Sequence, residues 1–142
     1  MSETLAQRVV AAMLRDDLAS QSLGMEVEGV GEGISCVTMV VRADMVNGHR
    51  TCHGGIVFAL ADSAFAFACN SRNARTVAAG CSIEYVAPAK VGDTLRAEAI
   101  ERSLGNRLGI YDVTVTNKRG ETVALFRGKS CRVSGTLVEE EE

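Results

Sequence analysis

An α+β fold in which a curved antiparallel sheet wraps one long helix is predicted by three observations. The run from Gly54 to Ser71, GGIVFALADSAFAFACNS, is helix-forming, apolar on every face, and carries a single charged group, Asp62. Six further segments are rich in strand-forming residues and are separated by turn signals. The length, 142 residues, leaves room for one core and not two. A helix that is apolar all round has to be enclosed, and wrapping the sheet around it buries both at once.

The elements follow in order. Residues 3–18 place Leu5, Val9, Ala12, Met13 and Asp16 at helical spacing after Ser2 and Thr4, which predicts an amphipathic helix capping an edge. Residues 24–30 and 34–42 are β-rich and flank Gly31-Glu32-Gly33, a glycine-bracketed hairpin turn. Asn47-Gly48 has turn chemistry and delivers the chain to the helix that starts near Gly54. Residues 75–87, 94–103, 108–117 and 122–133 then read as four consecutive strands, taken as an antiparallel meander. Leu95, Ala97 and Ala99 face one way, Arg96 and Glu98 the other. The alanines of the central helix (59, 61, 64, 66, 68) allow the sheet to approach closely. Residues 1–135 make the single domain, and 136–142, ending in Glu139 to Glu142, read as an acidic, disordered tail with nothing to pack.

Composition removes several functions. Fifteen basic and 18 acidic residues give a formal charge of −3, with no basic stripe, and there is no Trp, so nucleic acid is not an expected partner. The central apolar run is interrupted by a charge and falls short of the roughly 20 residues of a membrane span. Five scattered cysteines, without a C-x-x-C pair, and a charged N-terminal stretch fit reduced thiols and a cytoplasmic setting. His49, Cys52 and His53 lack a fourth ligand and the usual spacing for zinc, so no metal is expected. Cys52 beside His53 has no third group to orient a nucleophilic pair and reads as packing.

The chemistry is concentrated around the start of the long helix. Gly54 opens it with unpaired amides and the positive end of the helix dipole, a place for a carbonyl oxygen that becomes anionic when its carbon is attacked. Gly54 N–H is the expected oxyanion donor, with Gly55 chiefly allowing close packing. Asp62 is a carboxylate expected to be buried and therefore to have a task. At ~1.5 Å per residue it lies roughly 12 Å along the axis from Gly54, too far for both to act on one carbonyl within one chain. Two antiparallel copies of the helix about a two-fold axis bring them together, which predicts a homodimer with composite sites. Asn47 suits either a turn or the orientation of the attacking group. His53 suits either a loop role or a bond to a substrate.

The string Asn47-Gly48-His49-Arg50-Thr51-Cys52-His53-Gly54-Gly55 followed by Asp62, with Pro88, Gly92-Asp93 and Phe126-Arg127-Gly128-Lys129-Ser130, resembles the hot-dog-fold acyl-CoA thioesterases of the phenylacetic acid degradation (PaaI) type over roughly residues 23–135. The resemblance implies the hot-dog fold. It implies hydrolysis of aryl-acetyl-CoA thioesters, such as phenylacetyl-CoA and its hydroxylated forms, to acid and CoA, with no cofactor beyond the CoA of the substrate. Catalysis is implied for Asp62, Gly54, Asn47 and His53, with Asp62 attacking directly or activating water. Substrate contact is implied for Gly55 and Tyr85, and coenzyme contact for Lys90, Arg102, Asn106, Arg107 and Lys129. The implied assembly is a homodimer, extended to a homotetramer. A serine that some members carry opposite the carboxylate is replaced here by Ala78, as in PaaI-type chains. Two other readings fit the same residues: an acyl-CoA hydratase or dehydratase on this fold, and a non-catalytic acyl-CoA-binding protein.

Overall fold

The computed structural model describes residues 2–140. Its helices are α1 (Leu5–Asp16), α2 (Leu18–Ser22) and α3 (Gly54–Asn70), and its strands β1 (Glu26–Gly31), β2 (Ile34–Val40), β3 (Thr76–Tyr85), β4 (Thr94–Leu104), β5 (Leu108–Thr116) and β6 (Thr122–Arg132). The six strands form one antiparallel sheet in the order β1-β2-β4-β5-β6-β3, and α3 packs against every strand of it. This is the hot-dog arrangement.

The N-terminal helix begins as its residues require. Thr4 accepts from Gln7 N–H at 3.1 Å while the Gln7 side chain accepts from Thr4 N–H at 2.9 Å, a reciprocal cap. The single helix expected over 3–18 is broken, however, at Asp17. That residue has ψ 79°, leaves the helical path, and uses its carboxylate to cap α2 through Ser20 N–H at 3.0 Å.

The meander also needs correction. Only β4, β5 and β6 form it; β3 pairs with β6 at the far edge, and β4 pairs with β2. The hairpin turns at 105–107 and 117–121 are too short to do anything but join neighbours, whereas the segment 86–93 is long enough to cross the end of the sheet. Its path is recorded by its bonds. Val86 and Ala87 N–H donate to Val123, Cys52 N–H donates to Ala89, and Val41 exchanges backbone bonds with Gly92 and Asp93.

The core lies between α3 and the concave face. Ala61, Ala64 and Ala68 of α3 are fully buried against it, together with Val37, Leu95, Ala97, Val113 and Val115. Phe65 lies over Gly128, where a Cβ would stand 2.7 Å from the ring, so the glycine sets how closely helix and sheet approach. Phe65 and Met45 are core residues. Phe58 is half-buried and meets Phe126 edge-on, with ring centroids 5.3 Å apart.

The two sheet edges differ in chemistry. β1 carries Glu26, Glu28 and a bulge, devices that discourage pairing with another chain. β3 is exposed along most of its length, and from Thr76 to Ile83 it carries no charge. Beyond β6 the chain does not leave the molecule at once. Buried Asn73, at φ 66°, accepts from Leu137 and Val138 N–H and donates to the Val138 carbonyl, holding the first part of the expected tail; Glu141 and Glu142 lie outside the described residues.

Candidate active site

The start of α3 is prepared by the loop before it. Asn47 organises that loop: its Oδ1 accepts from His49 N–H at 2.9 Å and from the Thr51 N–H and hydroxyl at 3.3 Å each. Its side-chain amide has no acceptor among the described residues and faces a cavity, so the residue is both turn former and part of the wall. Arg50 takes φ 65° to close the turn, and His53 N–H is anchored on the Met45 carbonyl at 2.8 Å.

His53 is the N-cap of α3. Its Nδ1 accepts from Gly55 N–H at 3.0 Å, which requires a lone pair on Nδ1 and places the ring proton on Nε2. The carbonyl of His53 accepts from Ile56 and Val57 N–H. These bonds use every N–H of the first turn except one. Gly54 N–H has no acceptor among the described residues, and the helix dipole adds its positive end there. Gly55 N–H is therefore spent on the cap and Gly54 N–H is left.

Sequence reasoning missed the contact that restrains Gly54. The Tyr85 hydroxyl donates to the Gly54 carbonyl at 2.8 Å, and its ring lies so close that a Cβ on Gly54 would meet Cζ at 3.0 Å. A tyrosine at the end of a strand carries no local signal for this, because the contact spans two elements. Asn47, Thr51, Gly54, Val57, Tyr85 and Val123 surround a cavity of about 330 Å³ at this point. A backbone donor, a side-chain amide and an apolar floor converge there, the composition of a small-molecule site.

Asp62 lies two turns further along α3. It is half-buried and makes no hydrogen bond or ion pair among the described residues. Burial pushes its carboxyl above the usual range, and the nearby Asp17 charge pushes it further. Asp17 is held there by Ser20, whose hydroxyl donates to it at 2.6 Å and lies 2.8 Å from the Ser63 hydroxyl, next to Asp62 in the chain. If catalysis uses the carboxylate form, activity is lost as pH falls through this raised value, so the acid limb of the kcat/KM profile should stand above the ordinary carboxylate range. Asp17→Asn removes one of the two causes, and the limb should then move to lower pH. A limb that stays in place in that variant shows that Asp17 does not tune the site.

The α3 residues Gly55, Ala59, Asp62, Ala66 and Cys69 recur at helical spacing and form a stripe of small side chains that the protomer leaves partly uncovered. Burial pushes the Cys69 thiol up to about 12 and also raises Cys52, so neither supplies a thiolate near neutral pH. Among the described residues no group of three or more His, Cys, Asp or Glu is arranged to hold a metal ion, and no helix is long and apolar enough to cross a membrane.

The basic residues do not converge. Arg102 is ion-paired with Asp112 at 3.0 Å, and Arg127 shares that carboxylate at 2.7 Å. Lys90 and Lys129 are exposed and line neither the cavity at Gly54 nor a second one at the far end of α3, where Asn106 and Arg107 stand.

Residues 49–124 match the family model described as "Thioesterase superfamily". The chain is 47% identical over 129 residues to the acyl-coenzyme A thioesterase PaaI of Escherichia coli K12, covering 91% of this chain and 92% of that one. The chain belongs to the thioesterase superfamily. The structure of E. coli PaaI, described as from the phenylacetic acid degradation operon, superposes with a TM-score of 0.92 at 46% identity, covering 93% of this chain and 96% of that one. A Streptococcus mutans protein, smu.793, solved bound to acetyl CoA, superposes with a TM-score of 0.76 at 27% identity, covering 79% and 90%. Thioester hydrolysis calls for a donor to the oxygen that gains charge and for a group that attacks or activates water, and a free amide at Gly54 and an unpartnered carboxylate at Asp62 are groups of those two kinds among the described residues.

Proposed function

We propose that this thioesterase hydrolyses aryl-acetyl-CoA thioesters, phenylacetyl-CoA and its ring-hydroxylated forms, in active sites shared between two copies of the chain. The observation that carries the shared site is the separation of the two groups on one straight helix, roughly 12 Å by helical rise. Antiparallel pairing of two α3 helices sets Asp62 of one copy beside Gly54 of the other. The uncharged 76–83 stretch of the β3 edge and the small-residue stripe on α3 are the surfaces such pairing covers.

In that arrangement the thioester carbonyl lies on Gly54 N–H, with Asn47 and His53 around it and the acyl group in the cavity beside Tyr85. Either water attacks the carbonyl carbon while Asp62 takes its proton, the C–S bond breaks and that proton passes to the departing thiolate, or Asp62 attacks the carbon itself, expels the thiolate, which is protonated from solvent, and leaves a mixed anhydride that water then hydrolyses to the free acid and the carboxylate of Asp62. Asn47 contributes its unused amide and Gly55 its close packing. No group beyond the substrate's own CoA is needed. Exposed apolar residues on the convex face, Ile34, Ile100, Leu108 and Leu125, support association of two dimers into a tetramer. The working unit is residues 1–135, and five unbridged cysteines support a cytoplasmic setting.

Release of thiol from a panel of acyl-CoAs tests the reading. Aryl-acetyl-CoAs should give the highest kcat/KM, with free acid and CoA in equal amounts. Hydration of an enoyl-CoA without thiol release assigns the hydratase reading instead, and binding without turnover assigns the non-catalytic one.

A further inference from the structure

Two peptide planes meet at Gly54. Of their four polar groups, only the Gly54 N–H is without a partner among the described residues. In the first plane the His53 carbonyl accepts from Ile56 N–H at 2.9 Å and from Val57 N–H at 3.2 Å. The second plane, between Gly54 and Gly55, is held at both poles by side chains: its N–H donates to His53 Nδ1 at 3.0 Å, and its carbonyl accepts from the Tyr85 hydroxyl at 2.8 Å. Two glycines in succession give this plane no Cβ to restrict its rotation. The torsions of Gly54 relate the two planes, so holding the second fixes how the free N–H stands at the head of α3.

Tyr85 is placed for that contact and for little else. The residue is 54% exposed and stands outside the core, yet its ring lies against Gly54, where a Cβ would be 3.0 Å from Cζ and 3.1 Å from the hydroxyl oxygen. Its backbone is fixed. Tyr85 pairs with Ala124 of β6, and the Val86 and Ala87 N–H groups donate to the Val123 carbonyl at 2.8 and 3.2 Å. The hydroxyl is thus carried to the helix start by a ladder-bonded strand end. Hydrogen bonds in series polarise one another, so donation to the Gly54 carbonyl also strengthens the bond that Gly55 N–H makes to His53. Gly54 and Tyr85 share the wall of the cavity of about 330 Å³, so the free amide and its support face the same space.

We infer that Tyr85 is a positioning residue for the reaction: its hydroxyl holds the Gly54–Gly55 peptide and through it keeps Gly54 N–H aimed at the oxygen that gains charge. The inference rests on the oxyanion role proposed above for Gly54 and adds the group that holds that donor in place before substrate arrives. The resemblance to thioesterases implies substrate contact for Tyr85; here its hydroxyl is already engaged by the backbone. A donor held in this way needs no reordering as charge develops, so its support matters in the chemical step. Loss of the hydroxyl therefore affects turnover and leaves substrate binding alone.

Tyr85→Phe keeps the ring against Gly54 and removes the hydroxyl alone. The test measures kcat and KM on aryl- and alkyl-acyl-CoAs, calorimetric binding of a thioether analogue with a methylene in place of the thioester carbonyl, and the NMR order parameter of the Gly54 amide. Turnover should fall about tenfold, by the same factor for every acyl group, with KM and thioether binding unchanged. The Gly54 order parameter should drop below the value of about 0.85 that marks rigid backbone, while the thermal midpoint stays near the native one. Native-like kcat, or a fall in kcat with the Gly54 amide as rigid as before, overturns the inference. So does a rise in KM with weakened thioether binding that varies with the acyl group, which returns Tyr85 to substrate contact. Failure of the underlying reading looks different. Gly54→Pro as active as Gly54→Ala removes the oxyanion donor itself, whereas an inactive Gly54→Pro beside a fully active Tyr85→Phe removes only the role of Tyr85.

Discussion

Asp62→Asn should lower kcat on an aryl-acetyl-CoA by about 100-fold or more, with KM little changed. The substitution keeps the shape of the side chain and removes its charge and basicity. Asp62 has no hydrogen-bond or ion-pair partner to lose among the described residues, so the loss cannot come from a broken internal network. Stability should be equal or slightly higher, because a carboxylate that burial already pushes toward its neutral form is costly to hold charged. Thermal unfolding beside steady-state kinetics separates the two effects. Native-like kcat in the variant removes Asp62 from the mechanism.

Gly54→Pro should cost about 10²–10³ in kcat with the fold intact. Proline at the first position of a helix is well tolerated, because the N–H it lacks has no partner inside the helix. His53, the preceding residue, has φ −55° and ψ 133°, the extended conformation a following proline favours. The change therefore deletes the one free amide of the first turn and little else. Crowding against Tyr85 is the confounding factor, since any Cβ at this position meets that ring at 3.0 Å. Gly54→Ala controls for it by adding the same Cβ and keeping the N–H. Alanine should retain most of the activity that proline loses. Equal losses in both variants assign the effect to the displaced Tyr85 and not to an oxyanion donor.

The two variants together test the shared site. Each alone gives a homodimer in which both sites are defective. Mixing the subunits gives dimers in which one site combines an intact Gly54 from the Asp62→Asn chain with an intact Asp62 from the Gly54→Pro chain. Activity should reappear on mixing under subunit exchange. No recovery, in a mixture shown to contain heterodimers, means that the two groups do not meet across the interface.

Much of the fold was legible because it rests on local chemistry. The β1–β2 hairpin follows from Gly31-Glu32-Gly33, and the alternation of Leu95, Ala97 and Ala99 with Arg96 and Glu98 is the alternation of buried and exposed positions in β4. The start of α3 could be placed because two glycines after a turn mark it. The errors arose where a distant contact decides. Asp17 reads as one more polar residue on a helix, yet it ends that helix and lends its charge to Asp62. β3 reads as the neighbour of β4 because it precedes it, yet the connection over 86–93 carries the chain across the sheet.

The amino-acid sequence by itself determined the elements and the enclosed helix, because these depend on side-chain type and spacing within about twenty residues. Only the tertiary structure decided how Tyr85 holds the Gly54 carbonyl and that Asp17 stands near Asp62. Those facts depend on hydrogen bonds and separations between residues far apart in the chain, and such bonds exist only once the sheet has closed on the helix.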